Sequence, residues 1–108
     1  MLFLIELDHV KSGQALTPEQ GRIFVEQVIL PTLALAEKLA TEKKIVAGGP
    51  AAGRIGLRFI LDAGSLPEVD KLVKSIPLWP LSETRITPLV AFADSRESAQ
   101  AFLTNLKS

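Results

Sequence analysis

Three charged residues on separate strand-like segments are the first candidates for chemistry. Glu6 lies in the first segment, Arg58 in the third and Arg85 at the start of the fourth. Arginine offers a planar pair of donors that matches the two oxygens of a carboxylate ligand, and a carboxylate nearby can carry a proton. Leu4 and Ile60 alternate with these residues and would add apolar contacts. The pattern predicts a site for a small carboxylated molecule with Glu6 as base, or alternatively a plain cross-strand salt bridge.

His9, directly after the first segment, is a second candidate acid or base. Histidine is the residue type most often used for proton transfer near neutral pH, and the adjacent Asp8 could orient the ring. The alternative is an ordinary, partly exposed loop residue. The chain has one histidine and no cysteine, which is too few soft ligands for a zinc site. We therefore expect neither a metal nor another cofactor.

The segment Ile76–Leu81 carries the only tryptophan of the chain, Trp79, between two prolines. Pro77 and Pro80 fix their own φ and favour extended conformations for Ile76 and Trp79. An indole ring on a stiff loop can line an apolar pocket, so Trp79 is a candidate substrate contact. The alternative is that Trp79 closes the end of the core or a subunit interface.

Length, charge and composition limit the class of function. A chain of 108 residues forms one domain, covering residues 1–108. Twelve acidic and twelve basic residues give no net charge, so we expect neither a nucleic acid nor a membrane as partner. Hydrophobic residues make up 47% of the chain, and most of them are aliphatic. This content is slightly high for a soluble domain and favours an additional buried surface between copies. The first apolar run ends at Glu6, too short for a signal peptide, which predicts a cytoplasmic protein.

The predicted elements follow the order βαββαβ, with one further helix at the end. Thr17 opens the first helix, which Pro31 kinks or divides before it ends near Glu42. Ser65 and Asp94 cap the second and the final helix. The predicted strands are Leu2–Asp8, Ile45–Ala47, Leu57–Ala63 and Arg85–Phe92.

With right-handed crossovers, this order folds as a ferredoxin-like α+β domain. Its four-stranded antiparallel sheet has the order 4-1-3-2, and both helices cover one face. Gly48–Gly53 is interpreted as a turn between the second and third strands. Glu6 can then meet Arg58 and Arg85 on the face that no helix covers. Two such faces packed together would give a dimeric α+β barrel, so we expect a homo-oligomer of at least two copies.

The connector Leu72–Leu81, with the sequence LVKSIPLWPL, resembles the muconolactone isomerase family. The start Met1-Leu2-Phe3 and the run Glu37–Ala40 extend the resemblance over residues 1 to 90. The resemblance implies a small, oligomeric, ferredoxin-like enzyme that shifts a double bond in an unsaturated lactone without a cofactor. It also implies a base at Glu6, a carboxylate holder at Arg58 or Arg85, and Trp79 at the pocket rim.

Two departures from the family widen the choice of function. Leu4 stands where the family usually has a histidine, and Ile45–Pro50 is more similar to small YciI-like proteins. Beside the isomerase, we therefore consider a non-catalytic dimeric module that binds a small metabolite. A cofactor-free monooxygenase of the same fold is a third hypothesis, against which the absence of tyrosine counts.

Overall fold

The computed structural model describes residues 1–10 and 15–107, leaving out the side chain of residue 107. It has the ferredoxin-like α+β fold that the order of elements predicts, with an added helix at the C-terminal side. The elements in chain order are β1 (Leu2–His9), α1 (Pro18–Phe24), a π-helical turn (Val25–Ile29), α2 (Leu30–Thr41), β2 (Ile45–Pro50), β3 (Gly56–Asp62), α3 (Leu66–Lys74), a 3-10 turn (Trp79–Leu81), β4 (Ser82–Leu89) and α4 (Phe92–Lys107).

The four strands form one antiparallel sheet in the order β2-β3-β1-β4, as predicted. Alternation along β1 places Phe3, Ile5 and Leu7 on the helix side, where all three are fully buried. Burial of each such side chain contributes about 1.5–3 kcal/mol to folding. The opposite face carries no helix, and we call it the open face. Pro88 lies in β4, an outer strand, where a residue without a backbone N–H is tolerated.

The first helix begins with the capping box that Thr17 predicts. Its Oγ1 accepts the Gln20 backbone N–H at 3.2 Å, and Gln20 Oε1 accepts the Thr17 backbone N–H at 3.0 Å. Both donors would otherwise lack a partner at the helix start. On the exposed side of the helix, the Arg22 guanidinium lies between Glu19 and Glu26 and lowers the pKa of the Glu19 carboxyl.

The chain stays helical through Pro31, because the turn before it is wider than an α-helical turn. The Leu30 N–H donates to the carbonyl of Val25, five residues earlier, as in a π-helix. A proline removes one backbone donor and crowds the carbonyl four residues before it. The wide turn absorbs this local misfit, so α1, the π-helical turn and α2 form one helical run along the sheet.

The predicted turn over Gly48–Gly53 is wrong for its first three residues. Gly48, Gly49 and Pro50 belong to β2 and pair with Phe59, Arg58 and Leu57 of β3. A register shift at Val46 lets the strand continue beyond the predicted end at Ala47. The turn itself follows Pro50 and is closed by the Ala51 N–H, which donates to the carbonyl of Gly56 at 2.9 Å.

The connector between α3 and β4 is turned rather than extended. Trp79 begins a 3-10 turn, so the extended conformation predicted before Pro80 is wrong. Backbone N–H groups of Trp79 and Leu81 donate to the carbonyls of Ile76 and Leu78. These local hydrogen bonds stabilise the turn against the preference of a residue that precedes proline.

A buried hydroxyl holds this connector against α2. Thr32 is buried, and its Oγ1 accepts the backbone N–H of Leu78 at 3.1 Å. We expect Thr32→Val to lower the free energy of unfolding by about 1–3 kcal/mol, because the Leu78 N–H then loses its partner in the core. Urea denaturation measures the change. The control Thr41→Val removes an exposed hydroxyl bonded to its own helix and should change little; equal effects would contradict the expectation.

The last strand ends, and the final helix begins, earlier than the sequence predicts. Strand β4 ends at Leu89 rather than Phe92, and α4 begins at Phe92, so Asp94 lies in the first turn instead of capping the helix. All residues from Phe92 to Leu106 are exposed. Helix α4 projects from the sheet, which makes the molecule 68 Å long but only 32 × 23 Å across.

Candidate functional site

Glu6 lies in the middle of the open face, beside both predicted arginines. It is paired in register with Arg58 of β3 and Arg85 of β4. Glu6 Oε1 lies 3.5 Å from Arg58 Nε, and Glu6 Oε2 lies 3.9 Å from Arg85 Nε. The Glu6 side chain is 26% exposed in a single copy. The alternation of the strands thus brings the three predicted side chains together.

The two arginines differ in what their guanidinium groups already contact. Arg58, 33% exposed, donates to Asp8 Oδ2 and to the carbonyl of Leu57, each at 3.0 Å. Arg85 is 80% exposed, and its one ion pair among the described residues is the long contact with Glu6. Arg58 therefore fixes the carboxylates of β1, whereas Arg85 keeps donors for an anionic ligand.

The surroundings of Glu6 are ionic on one side and apolar on the other. Towards the end of β1, a groove of about 450 Å³ is lined by Glu6, Asp8, Arg58, Glu83, Thr84 and Arg85. Two residues back along β1, Leu4 pairs with Ile60 and both are half-buried on the open face. The predicted apolar contacts therefore lie next to the groove, about 7 Å along the strand from Glu6.

His9 points away from this cluster. Its ring lies 5.0 Å from the ring of Phe24 in α1, on the helix side of the sheet. Its Nδ1 is buried without a hydrogen-bond partner among the described residues. Asp8 faces the other side and is held by Arg54 at 3.2 Å and by Arg58. The structure does not join His9 to Asp8, or to Glu6, within one copy.

Trp79 also lies on the helix side. Its ring packs against the core, and Lys74 Nζ lies 5.9 Å from the ring centroid. Within one copy, Trp79 is therefore not at the rim of the groove that contains Glu6. Its predicted role as a substrate contact stays a prediction.

A cavity on the helix side is the feature that the sequence did not indicate. It has a volume of about 160 Å³, and Arg54 is the one charged residue among its described lining residues. The apolar walls come from the π-helical turn, α2, β3 and the connector: Ile29, Leu33, Leu57 and Leu78. Its position depends on the π-helical turn and on the turned connector, neither of which the sequence pattern predicts. The one sign of this cavity in the sequence was a polar residue, Thr32, within an otherwise apolar run.

The described part of the chain shows neither a cluster of metal ligands nor a helix suited to spanning a membrane. Residues 1–10 and 15–107 contain no group of three or more histidine, cysteine, aspartate or glutamate residues that could hold a metal ion. No helix within these ranges is both long and apolar enough to span a bilayer.

The fold is shared with solved structures of small enzymes. The chain is similar to 5-chloro-2-hydroxyhydroquinone dehydrochlorinase from Burkholderia phenoliruptrix AC1100, solved in complex with 2,5-dihydroxybenzoquinone, with 24% identity, a TM-score of 0.63, and 87% of this chain and 98% of that chain covered. It is similar to muconolactone isomerase with 17% identity and a TM-score of 0.67, over 84% of this chain and 90% of the other.

These similarities place the chain in the class of proteins with the ferredoxin-like α+β fold. The particular fold is that of muconolactone isomerase, so the resemblance seen in the connector is confirmed at the level of the fold. No protein-family model matches the chain, and no curated protein matches it significantly in sequence.

Proposed function

We propose that this chain is an enzyme that moves a proton within a small ring compound carrying a carboxylate, without a cofactor. The double-bond shift of an unsaturated lactone is the reaction we favour. The observation that carries the proposal is the half-buried Glu6 carboxylate beside Arg85, whose guanidinium is largely free. The shared fold with a named isomerase and a named dehydrochlorinase supports the enzyme class.

The roles of the two residues follow from their chemistry. Arg85 binds the substrate carboxylate through two parallel N–H donors. Glu6 accepts a proton from the saturated carbon at the far end of the C=C–C=O system, and the electrons of the broken C–H bond move through the double bond into the carbonyl as a dienolate. Glu6 then returns the proton to the carbon next to the carbonyl, so the double bond shifts and no atom is gained or lost. Arg58 holds Glu6 in place through the contact at 3.5 Å.

A second copy covering the open face would complete this site. In one copy the groove is open to water, which weakens every ionic contact inside it. Leu4 and Ile60 are only half-buried beside Glu6 and offer apolar surface to a partner. A homodimer closed over this face would exclude water and strengthen the hold on the substrate anion.

The direct test is solvent exchange. Muconolactone is incubated with the protein in D2O, and the recovered lactones are examined by mass spectrometry and proton NMR. We expect deuterium at the carbons that lose and gain the proton, together with the isomerised lactone. Lactone recovered without deuterium and without rearrangement would contradict the proposed reaction on this substrate class.

Arg85→Leu should affect binding more than turnover. Loss of a charge-assisted hydrogen bond to the substrate removes about 1.5–3 kcal/mol, so we expect KM to rise roughly 10- to 100-fold while kcat changes less. Steady-state kinetics measure both. Arg22→Leu, on the exposed side of α1, is the control and should leave KM unchanged. An unaltered KM in Arg85→Leu would remove Arg85 from the site.

A non-catalytic small-molecule carrier is the second candidate, and the helix-side cavity favours it. The described walls of that cavity are apolar apart from Arg54 and Thr32, so they offer no general acid or base. A ligand with one anionic group and an apolar ring would fit such a lining. This alternative predicts a rise in Tm with ligand in both the wild type and Glu6→Gln, and no deuterium exchange in either.

A further inference from the structure

The Glu6 carboxylate accepts no hydrogen bond within the described part of the chain. Its oxygens lie 3.5 Å from Arg58 Nε and 3.9 Å from Arg85 Nε. Hydrogen bonds from a guanidinium to a carboxylate are typically about 2.7–2.9 Å long, so both contacts are ion pairs without a hydrogen bond. A base needs a free lone pair when the substrate binds, and the Glu6 oxygens meet this condition.

Arg58 is close enough to Glu6 to occupy those lone pairs, but its guanidinium is held elsewhere. Its Nη2 donates to Asp8 Oδ2 and its Nη1 donates to the carbonyl of Leu57, each at 3.0 Å. A guanidinium is planar and rigid, so a group fixed at two of its nitrogens cannot also present two parallel donors to Glu6. Only Nε is left on the side of Glu6.

The strands are built so that Asp8 and Arg58 can meet. Asp8 follows Glu6 by two residues on the same face of β1, about 7 Å along the strand, and pairs with Gly56 of β3. A Cβ at residue 56 would lie 2.7 Å from Asp8 Oδ1 and 3.5 Å from Arg58 Nη1. Glycine therefore leaves the space for this contact. Arg54 donates to the other Asp8 oxygen at 3.2 Å, so the Asp8 carboxylate lies between two arginines.

We propose that Asp8 is a positioning residue for the Glu6 base, because it holds the Arg58 guanidinium and thereby keeps the Glu6 oxygens free to accept the substrate proton. This inference rests on the proposed proton transfer by Glu6. Without the Asp8 charge, Glu6 is the nearest carboxylate to Arg58, and the guanidinium can form hydrogen bonds with it. A carboxylate that accepts such bonds is a weaker base, since the incoming proton has to displace a charged donor.

Glu83 provides the comparison that separates this role from a general effect of charge. The charged side chains around Glu6 are Asp8 on the same strand, Arg58 on β3, and Glu83 and Arg85 on β4. Glu83 lies opposite Asp8 in the sheet and makes no ion pair with Arg58 among the described residues. Loss of either carboxylate removes one negative charge from the same groove. Only the loss of Asp8 releases Arg58.

The first test compares Asp8→Asn with Glu83→Gln by steady-state kinetics on the lactone over a range of pH. Because Glu6 becomes a weaker base, we expect kcat of Asp8→Asn to fall roughly 3- to 10-fold at neutral pH while KM, set mainly by Arg85, changes less. The acid side of its kcat profile should move by about half a pH unit or more to lower pH, since a hydrogen-bonded carboxylate stays ionised in more acidic solution. Glu83→Gln should show neither change.

The second test asks whether Asp8 acts through Arg58. Asp8→Asn is added to Arg58→Leu, and the two effects on kcat are combined in a double-mutant cycle. Once Arg58 is absent, we expect Asp8→Asn to change kcat less than about twofold, because no guanidinium is left to release. Thermal unfolding checks that the variants are folded, and the comparison with Glu83→Gln stands without the double variant.

Two results would overturn this inference alone: equal effects of Asp8→Asn and Glu83→Gln, or a full Asp8→Asn effect that persists without Arg58. Glu6→Gln is measured in the same series to separate these results from failure of the proposed function. Full turnover in Glu6→Gln, or no turnover of the lactone by the wild type, would overturn both the proposed function and the role of Asp8.

Discussion

Glu6→Gln is expected to lower kcat by about 100- to 10,000-fold, the usual contribution of a positioned acid or base. The amide has the same shape as the carboxylate and can still accept a hydrogen bond, but it cannot take up a proton from carbon. The 3.0 Å ion pair between Arg58 and Asp8 does not involve Glu6, so we expect the variant to keep it and the sheet to keep its structure. Turnover of the lactone by absorbance and the rate of deuterium exchange both measure the loss.

Glu83→Gln is the control for this substitution. Glu83 lines the same groove and lies opposite Asp8 in the sheet, but it makes no ion pair among the described residues. Its replacement removes the same charge from the same face and should change kcat less than threefold. A Glu6→Gln variant with nearly full turnover would assign Glu6 to a structural salt bridge, the alternative that the sequence left open. Thermal unfolding of both variants separates lost activity from lost fold.

The two faces of the sheet could be predicted because the side on which each side chain lies depends only on its position along its own strand. Side-chain alternation in Phe3-Leu4-Ile5-Glu6-Leu7 places the first, third and fifth residues on the buried face, and the element order then gives the strand order. The capping box at Thr17 is local in the same sense. Both predictions are confirmed because no distant contact opposes the local preference.

Other features depend on contacts that a linear pattern does not contain. The 3-10 turn at Trp79 forms because the connector finds hydrogen bonds, including the one from Leu78 to Thr32. The helix passes Pro31 because a π-helical turn precedes it. In the site, strand register predicted that Glu6 would meet Arg58, but not that Asp8 would occupy the Arg58 guanidinium. Such competition among donors and acceptors needs three-dimensional positions.

Gly48→Ala is expected to destabilise the fold by about 3–5 kcal/mol, through backbone strain and overpacking together. Gly48 has a φ of 134°, which is unfavourable for a residue with a Cβ. A Cβ at this position would lie 2.2 Å from the carbonyl oxygen of Arg58 and 2.5 Å from the Cα of Phe59. Both contacts are with the backbone of β3, so relief requires β2 and β3 to separate.

Gly49→Ala shows whether this effect is specific to the close approach. The two glycines are adjacent in β2, but a Cβ on Gly49 meets no atom within 4 Å. Urea denaturation should give a near-native midpoint for Gly49→Ala and a much lower one for Gly48→Ala, since 3–5 kcal/mol is a large part of the roughly 5–15 kcal/mol that stabilises a domain. Failure of Gly48→Ala alone to yield folded protein would be the extreme form of the same result. Similar midpoints would mean that β2 does not approach β3 this closely, which would contradict the pairing of Gly48 with Phe59.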